Sequence, residues 1–468
     1  MRPGGTRPHI ALATRPFFCF NFAMRSCSLI QVLCVRGFTR LGTCFGLALF
    51  ATSAAFAATA STNLESAMPD KVLRAGFASA VLSPNALIPL MGYGFREDKL
   101  QPGNDGVHDP LRVRVVVLRQ GTNAPNAIVS LDTAVVNTKL AREFRLRVAK
   151  ALATDSNQVI VCATHTHSAP CLSTNELPES LTNNAAVVEA TRAYLEDVGR
   201  KVVETAARAA ALVFPVRVSC REAALGLGYN RRVMTPGGLR NCWSPQEWPE
   251  RQPGPMPDPT CTLMMLRQES GSASFLLWSL GVHPVVLGKT SKVVSADFPG
   301  RACQLIEEYV PDSQSLFLLG GAANVHPWVA TQDRAAMIEP VARAAASFVA
   351  LLAQATAQVN NPELRTAAKT VAVGKLELDI GVWRVGPVWI VAVPVELFGE
   401  LAADIRQKLG GPVLLTTLSN GCAGYFPTRK AFEEGGYEIE GIQHKKRLSP
   451  GDCEKLADHV KELADSLR

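Results

Sequence analysis

The first 57 residues contain no aspartate and no glutamate, while arginines stand at positions 2, 7, 15, 25, 36 and 40. A stretch with one sign of charge and no counter-ions does not build a folded domain. Arg36 and Arg40 precede the apolar run 41–50, and the small-residue stretch after it ends in Ala55-Phe56-Ala57, the A-x-A pattern of a secretory cleavage site. The expected layout is a leader with signal peptide over 1–57, a mature N-terminal extension over 58–73 and a catalytic domain over 74–468. Export to the periplasm or the medium follows, and Met24 is an alternative start, because 24–57 alone has the form of a signal peptide. Long apolar runs are missing beyond the leader, so no uninterrupted stretch reaches the ~20 residues of a bilayer span.

Excess charge is missing too. The formal charge of +7 (48 basic minus 41 acidic residues) becomes +1 (42 minus 41) without the six leader arginines, and nothing then points to a nucleic-acid partner. No C-x-x-C occurs among the eight cysteines after the leader, which disfavours a cysteine zinc knuckle or a thioredoxin-like site; an even number in an oxidising compartment leads us to expect disulfides. No Lys-Ser or Lys-Thr follows Gly320-Gly321-Ala322-Ala323, so this is close backbone packing rather than a phosphate cradle. Linkers, repeats and low-complexity blocks are absent as well.

What is present is an alternation of short β-branched runs with longer helical patterns, which predicts an α/β fold: a mixed β-sheet core with packed helices in a single large catalytic domain. Helices are expected at 138–154, 186–212, 299–310, 335–357, 396–409 and 450–467, the last opened by a Ser449/Asp452 capping box. Strands are expected at 127–131, 158–162, 274–280, 315–319, 388–393 and 413–418. The proline-rich segment 234–259 reads as a long ordered loop of the kind that borders sites.

Chemistry-bearing residues follow these strands. Asp132, His165 and His167, His283, Asn324 and His326, Glu396 and Tyr425 each come after one of them, and open α/β sheets hold ligands beyond the strands' carboxyl ends. In His165-Thr166-His167 two residues of extended chain project to one side, so both imidazoles would face one cavity. One histidine of this pair with His283 and Glu396 makes a nitrogen and oxygen donor set without thiolate, which suits a catalytic zinc with an open position for water. Asp132 is equally well explained as a cap of the next helix, Asp297 as a residue of a turn before Pro299, and Glu396 as a first-turn carboxylate.

With these residues in hand, the chain resembles the catalytic domain of the neutral ceramidases over about 74–445. The resemblance rests on Met91-Gly92-Tyr93, Gly106-Val107-His108, Thr164-His165-Thr166-His167-Ser168-Ala169-Pro170, Asn230-Arg231, His283-Pro284, Ser295-Ala296-Asp297, Pro394-Val395-Glu396, Gly424-Tyr425 and Tyr437-Glu438. It implies a Zn²⁺ cofactor held by His165, His283, Glu396 and Tyr425, with His167 as a pocket histidine and Arg231 and Tyr437 contacting the reacting group. His326 stands where the family carries a serine, which leads us to expect a smaller pocket, with His167 or His326 as proton carrier. The implied reaction is hydrolysis of a small-molecule or lipid amide, with room for peripheral membrane contact. A metal-dependent esterase or phosphoesterase could use the same ligands. A non-catalytic binding protein on this scaffold would be marked by loss of a ligand, and all four are present.

Overall fold

Alternation at period two decides the layers. Along the strand Arg112–Gln120, Val113, Val115 and Val117 belong to one core while Val116 and Leu118 belong to a second. Strand Ser274–Leu280 divides in the same way, with Leu276, Trp278 and Leu280 on one side and Phe275 and Leu277 on the other. A strand buried on both faces must have something apolar against each. The computed structural model describes residues 71–84, 88–93, 105–177, 179–247, 253–360, 362–445 and 447–468. The expected leader and its cleavage site lie outside the described residues. Every element discussed here belongs to the unit formed by residues 67–468.

Among the described residues the larger sheet has nine strands. Its path runs Ser313–Leu319, Ser274–Leu280, Thr260–Gln268, Phe214–Ala224, Leu73–Val81, Arg112–Gln120, Asn126–Leu131 and Val159–Ala163, and the short Ala357–Gln358 adds to Phe214–Ala224. The two outermost pairs are parallel and the pairs between them antiparallel. One face packs helices Thr138–Leu152, Ala185–Ala211, Asp297–Tyr309 and Ile338–Gln354. The other face meets a four-stranded sheet, Leu364–Val373, Leu376–Val385, Val388–Ala392 and Val413–Thr416, through Trp383, Ile390 and Leu414. Helices Gly399–Leu409 and Lys455–Asp465 cover that sheet's far side. The result is four layers, helix, sheet, sheet, helix, and each fully buried aliphatic side chain in them contributes about 1.5–3 kcal/mol.

Helix Thr138–Leu152 shows why the crossovers form where they do. The Asn137 side chain accepts from the Leu140 N–H at its start, Ala153 turns left-handed at its end, and Leu140, Phe144, Val148 and Leu152 recur at the spacing of a buried stripe. Helix Ile338–Gln354, with the short 3-10 turn before it, is long and apolar enough to cross a membrane by composition. Val341, Ala345, Val349 and Leu352 pack into the core instead, and Glu339 and Arg343 interrupt the apolar stretch.

Three expectations need correction. No disulfide joins any two of the eight cysteines; they sit on separate strands, helices and loops, and seven of them are buried, where a thiol packs as a small hydrophobe. The last helix begins at Lys455, not at 450: Asp452 does accept from the Ser449 N–H at 2.9 Å, but the two residues close a turn before the helix. Glu396 lies in the short strand Glu396–Leu397, with the next helix starting at Gly399, so it is not a first-turn carboxylate. Segment 234–259 carries the end of a hairpin, Arg232–Thr235 with Gly238–Asn241, and continues past the cavity at Trp243.

Two contacts curl the large sheet until its edges approach. Ser130 Oγ donates to Phe317 O at 3.1 Å. Segment 417–420 bonds both edge strands, Thr417 N–H to Leu319 O and Asn420 N–H to Val161 O, each at 2.7 Å.

Candidate metal centre and active site

Three strand-helix-strand crossovers feed one cavity. In each, a parallel pair of strands is joined by a helix: Asn126–Leu131 with Val159–Ala163, Ser274–Leu280 with Ser313–Leu319, and Val388–Ala392 with Val413–Thr416. Their carboxyl ends deliver His165 and His167, His283 and His326, and Glu396 and Tyr425. All six line a cavity of about 760 Å³ together with Arg231, Trp243, Tyr437, Tyr93 and Gly92.

His165 and His283 are buried to 4% and 1% exposure. His165 Nδ1 lies 2.6 Å from Ala134 O and His283 Nδ1 lies 2.9 Å from Ala322 O. A carbonyl oxygen only accepts, so each ring carries its proton on Nδ1 and turns a bare Nε2 lone pair outward. Those two Nε2 atoms are 3.0 Å apart, a repulsive contact unless a cation lies between or beside them. The His165 backbone has φ of 71°, a left-handed conformation uncommon for a residue with a side chain.

His167 joins the cluster. Its Nε2 is 3.3 Å from that of His165, and the ligand atoms of His165, His167 and His283 all lie within 4.8 Å of one another. A tetrahedral zinc with bonds of ~2.0–2.1 Å would set its nitrogens roughly 3.3 Å apart, so three histidines in this arrangement could hold a metal. Glu396 supplies oxygen: its Oε2 is 3.6 Å from His165 Nε2, buried, and accepts no hydrogen bond. Tyr425 is the register partner of Glu396 in a parallel strand pair. Burial, and then the Glu396 carboxylate, raise the Tyr425 phenol well above its usual pKa, against the pull of Arg231; a bound cation acts in the opposite direction. Burial, then the neighbouring imidazoles and Arg231, push His283 well below the usual histidine value, which keeps it neutral and able to donate its lone pair.

Arg231 forms the opposite wall, 2% exposed. Its Nε donates to Glu438 Oε1 at 2.9 Å and its Nη1 to His326 Nε2 at 2.9 Å, while the Tyr425 ring lies 5.9 Å from the guanidinium carbon. Burial works against the guanidinium charge, but Tyr425 and Glu438 overcome it and the pKa is raised. His326 Nδ1 lies 3.1 Å from Trp243 O. With one nitrogen donating to a carbonyl and the other receiving from Arg231, His326 is a neutral bridge in the wall and does not fit the expected role of proton carrier. Burial and then Arg231 hold its pKa well below the usual value.

Tyr437 is at the rim, 53% exposed, its ring 5.3 Å from Trp243 and 5.9 Å from Tyr425. Asp132 and Asp297 are outside the cavity. Asp132 is no helix cap, because Asn137 has that place; it accepts from the Arg112 N–H and pairs with buried Arg114 at 2.9 Å. Asp297 accepts the N–H groups of Val286, Leu287 and Phe298, bracing the chain beyond His283. Sequence reasoning missed the functions of Glu438, Trp243 and Gly92. The only signal for Glu438 was its place beside Tyr437, and for Trp243 its place in the proline-rich segment 234–259. A Cβ on Gly92 would stand 2.5 Å from His167 Cβ, so the missing side chain is what lets this loop cover the imidazole.

Residues 78–375 match the family model for neutral/alkaline non-lysosomal ceramidase, N-terminal. Among solved structures the chain is similar to the neutral ceramidase of Pseudomonas aeruginosa, with 16% identity and a TM-score of 0.67 over 85% of this chain and 75% of that one. It is similar also to a ceramidase complexed with C2, with 17% identity and a TM-score of 0.67 over 85% and 76% of the two chains. No curated protein matches. The structural likeness at this identity establishes the shared fold, and the family model supplies the membership: the chain belongs to the neutral/alkaline non-lysosomal ceramidase family, hydrolases that act on amide bonds.

Proposed function

We propose that this protein is an exported zinc-dependent amidase that hydrolyses the N-acyl bond of a small-molecule or lipid amide. The observation that carries the metal is the pair of bare imidazole lone pairs 3.0 Å apart beside the unbonded Oε2 of Glu396. His165, His283, Glu396 and Tyr425 would hold the ion, with His167 next to it. The donor set is nitrogen and oxygen without thiolate, which suits a catalytic rather than a structural zinc. When bound, zinc polarises a carbonyl and lowers the pKa of water from about 16 to roughly 7.

The chain's own groups account for the rest. Ala134 O and Ala322 O fix the His165 and His283 tautomers, and such outer contacts orient ligands and raise their basicity. Arg231, with Tyr437 from the rim, faces the place where an amide oxygen gains charge and stabilises it there. His167 Nε2 lies in the same cavity and is the group best placed to pass a proton to the departing amine. The lipid side of the substrate class is supported by family membership, and export by the arginine-flanked apolar run ending at Ala57.

The test is a substrate panel with purified mature protein: long-chain and short-chain N-acyl sphingoid bases, simple N-acyl amines, carboxylic esters and phosphate esters of matched chain length. Release of free amine from the amides, abolished by chelation and restored by zinc, is the expected result. Turnover of esters or phosphate esters with no amide cleaved would overturn the amidase reading.

A further inference from the structure

Arg231 is held more firmly than charge balance alone requires. A guanidinium offers five N–H donors in a planar fork, and two of its corners are fixed by buried partners on different elements, Glu438 on helix Tyr437–Lys445 and His326 on strand Val325–Pro327. Each partner is itself held. Glu438, fully buried, accepts from Arg232 Nη1 at 2.7 Å and Asn241 Nδ2 at 2.8 Å. His326 donates to Trp243 O, and the Trp243 ring stacks 5.1 Å from the guanidinium carbon.

The two partners differ in kind. Glu438 carries charge and is shared with Arg232, so it opposes two cations at once; burial would raise its pKa, but Arg231 and Arg232 hold it below the usual carboxylate range. His326 is neutral and accepts through one lone pair. An uncharged acceptor fixes the direction of a guanidinium without cancelling its charge, whereas a second carboxylate would neutralise it. Electrostatic stabilisation in a dry site depends on dipoles and charges already aimed before charge develops, and that aim is what this arrangement supplies.

We propose that Glu438 and His326 are positioning residues that lock the Arg231 guanidinium toward the oxygen that becomes negative in the reaction. The inference rests on the amidase reading above, and it gives His326 a role in orientation in place of proton transfer.

The test uses zinc-loaded full-length mature protein with His326→Leu, which removes the acceptor; His326→Gln, which offers an amide oxygen near the Nε2 position; and Glu438→Gln. Two readouts are taken: octanoate binding by calorimetry, its carboxylate standing in for the charged oxygen, and steady-state kinetics on the best amide of the panel. Loss of a hydrogen bond to a charged group predicts roughly 10–100-fold lower kcat in His326→Leu with KM little changed, and octanoate binding weakened about tenfold. Glu438→Gln falls in the same direction, and His326→Gln recovers most of the loss, all with zinc content as in wild type. Wild-type kcat and octanoate affinity in His326→Leu and Glu438→Gln would overturn the proposal, as would equal losses in the Leu and Gln variants accompanied by loss of zinc. If octanoate binding follows the predicted order while no amide is cleaved, positioning stands and the amidase reading fails. If amides are cleaved and the variants are unaffected, the positioning proposal fails alone.

Discussion

Zinc removal offers the most direct test of the site, and Glu396→Gln is its sharpest form. The Glu396 carboxylate is buried beside His165 with Oε2 unbonded, so the substitution changes little in volume and removes an anionic donor. Outer contacts of a metal site already cost ~10–100-fold in affinity when lost, and loss of a direct anionic ligand is expected to cost at least that. An ion that binds only the folded state stabilises it by about 2.7 kcal/mol when present at a hundred times its Kd. Unfolding a chain of ~400 ordered residues, at ~2.1 cal/mol/K each, gives an entropy near 0.8 kcal/mol/K, so stripping the metal should lower Tm by about 3 °C. Elemental analysis should find one zinc per wild-type chain, calorimetry should show the Tm drop on chelation, and Glu396→Gln should show weakened uptake and little shift. Full activity without metal, or a Glu396→Gln protein that retains zinc like wild type, would refute the reasoning.

Acid stability should report the buried neutral imidazoles. His326 has a folded pKa well below 6.5, so its stabilising contribution is complete above the unfolded value and is lost as pH falls from about 6.5 toward the folded pKa, at up to ~1.4 kcal/mol per pH unit. Urea titrations of the metal-free protein between pH 7 and pH 5 should therefore be flatter for His326→Gln than for wild type; identical slopes would mean His326 is not held neutral. Gly92→Ala forces a side chain into φ of +119° and against His167 at 2.5 Å; the strain should cost about 1–3 kcal/mol, and the displaced imidazole should lower kcat roughly tenfold or more. A stability loss with normal turnover would remove His167 from the reaction. Finally, N-terminal sequencing of natively produced protein should begin at Ala58, and an intact leader on cytoplasmic protein would defeat the export proposal.

The sequence by itself determined the crossover units and the site residues they carry. The runs in 127–131, 158–162, 274–280, 315–319, 388–393 and 413–418 are legible because strands of parallel pairs are buried on both faces and read as unbroken apolar runs, and the polar residues just past them stand out against that background. The antiparallel strands were harder. Phe214–Ala224 and Leu364–Val373 alternate apolar with charged or small side chains, and Arg112–Gln120 carries arginines, one of them Arg114, buried only because Asp132 neutralises it. That the strands divide into two stacked sheets is a packing fact, since period two marks two apolar faces and not what covers each. The tertiary structure alone decided which residues meet. His165 follows one edge of the large sheet and His283 follows the strand next to the opposite edge, and they are 3.0 Å apart because the sheet curls until segment 417–420 bonds both edges. The same closure decided the character of His326. Sequence names an imidazole that titrates near neutrality, but a carbonyl on one nitrogen and a buried guanidinium on the other make it a fixed, uncharged acceptor, because protonation state is set by the groups a fold brings into contact and not by the residue type.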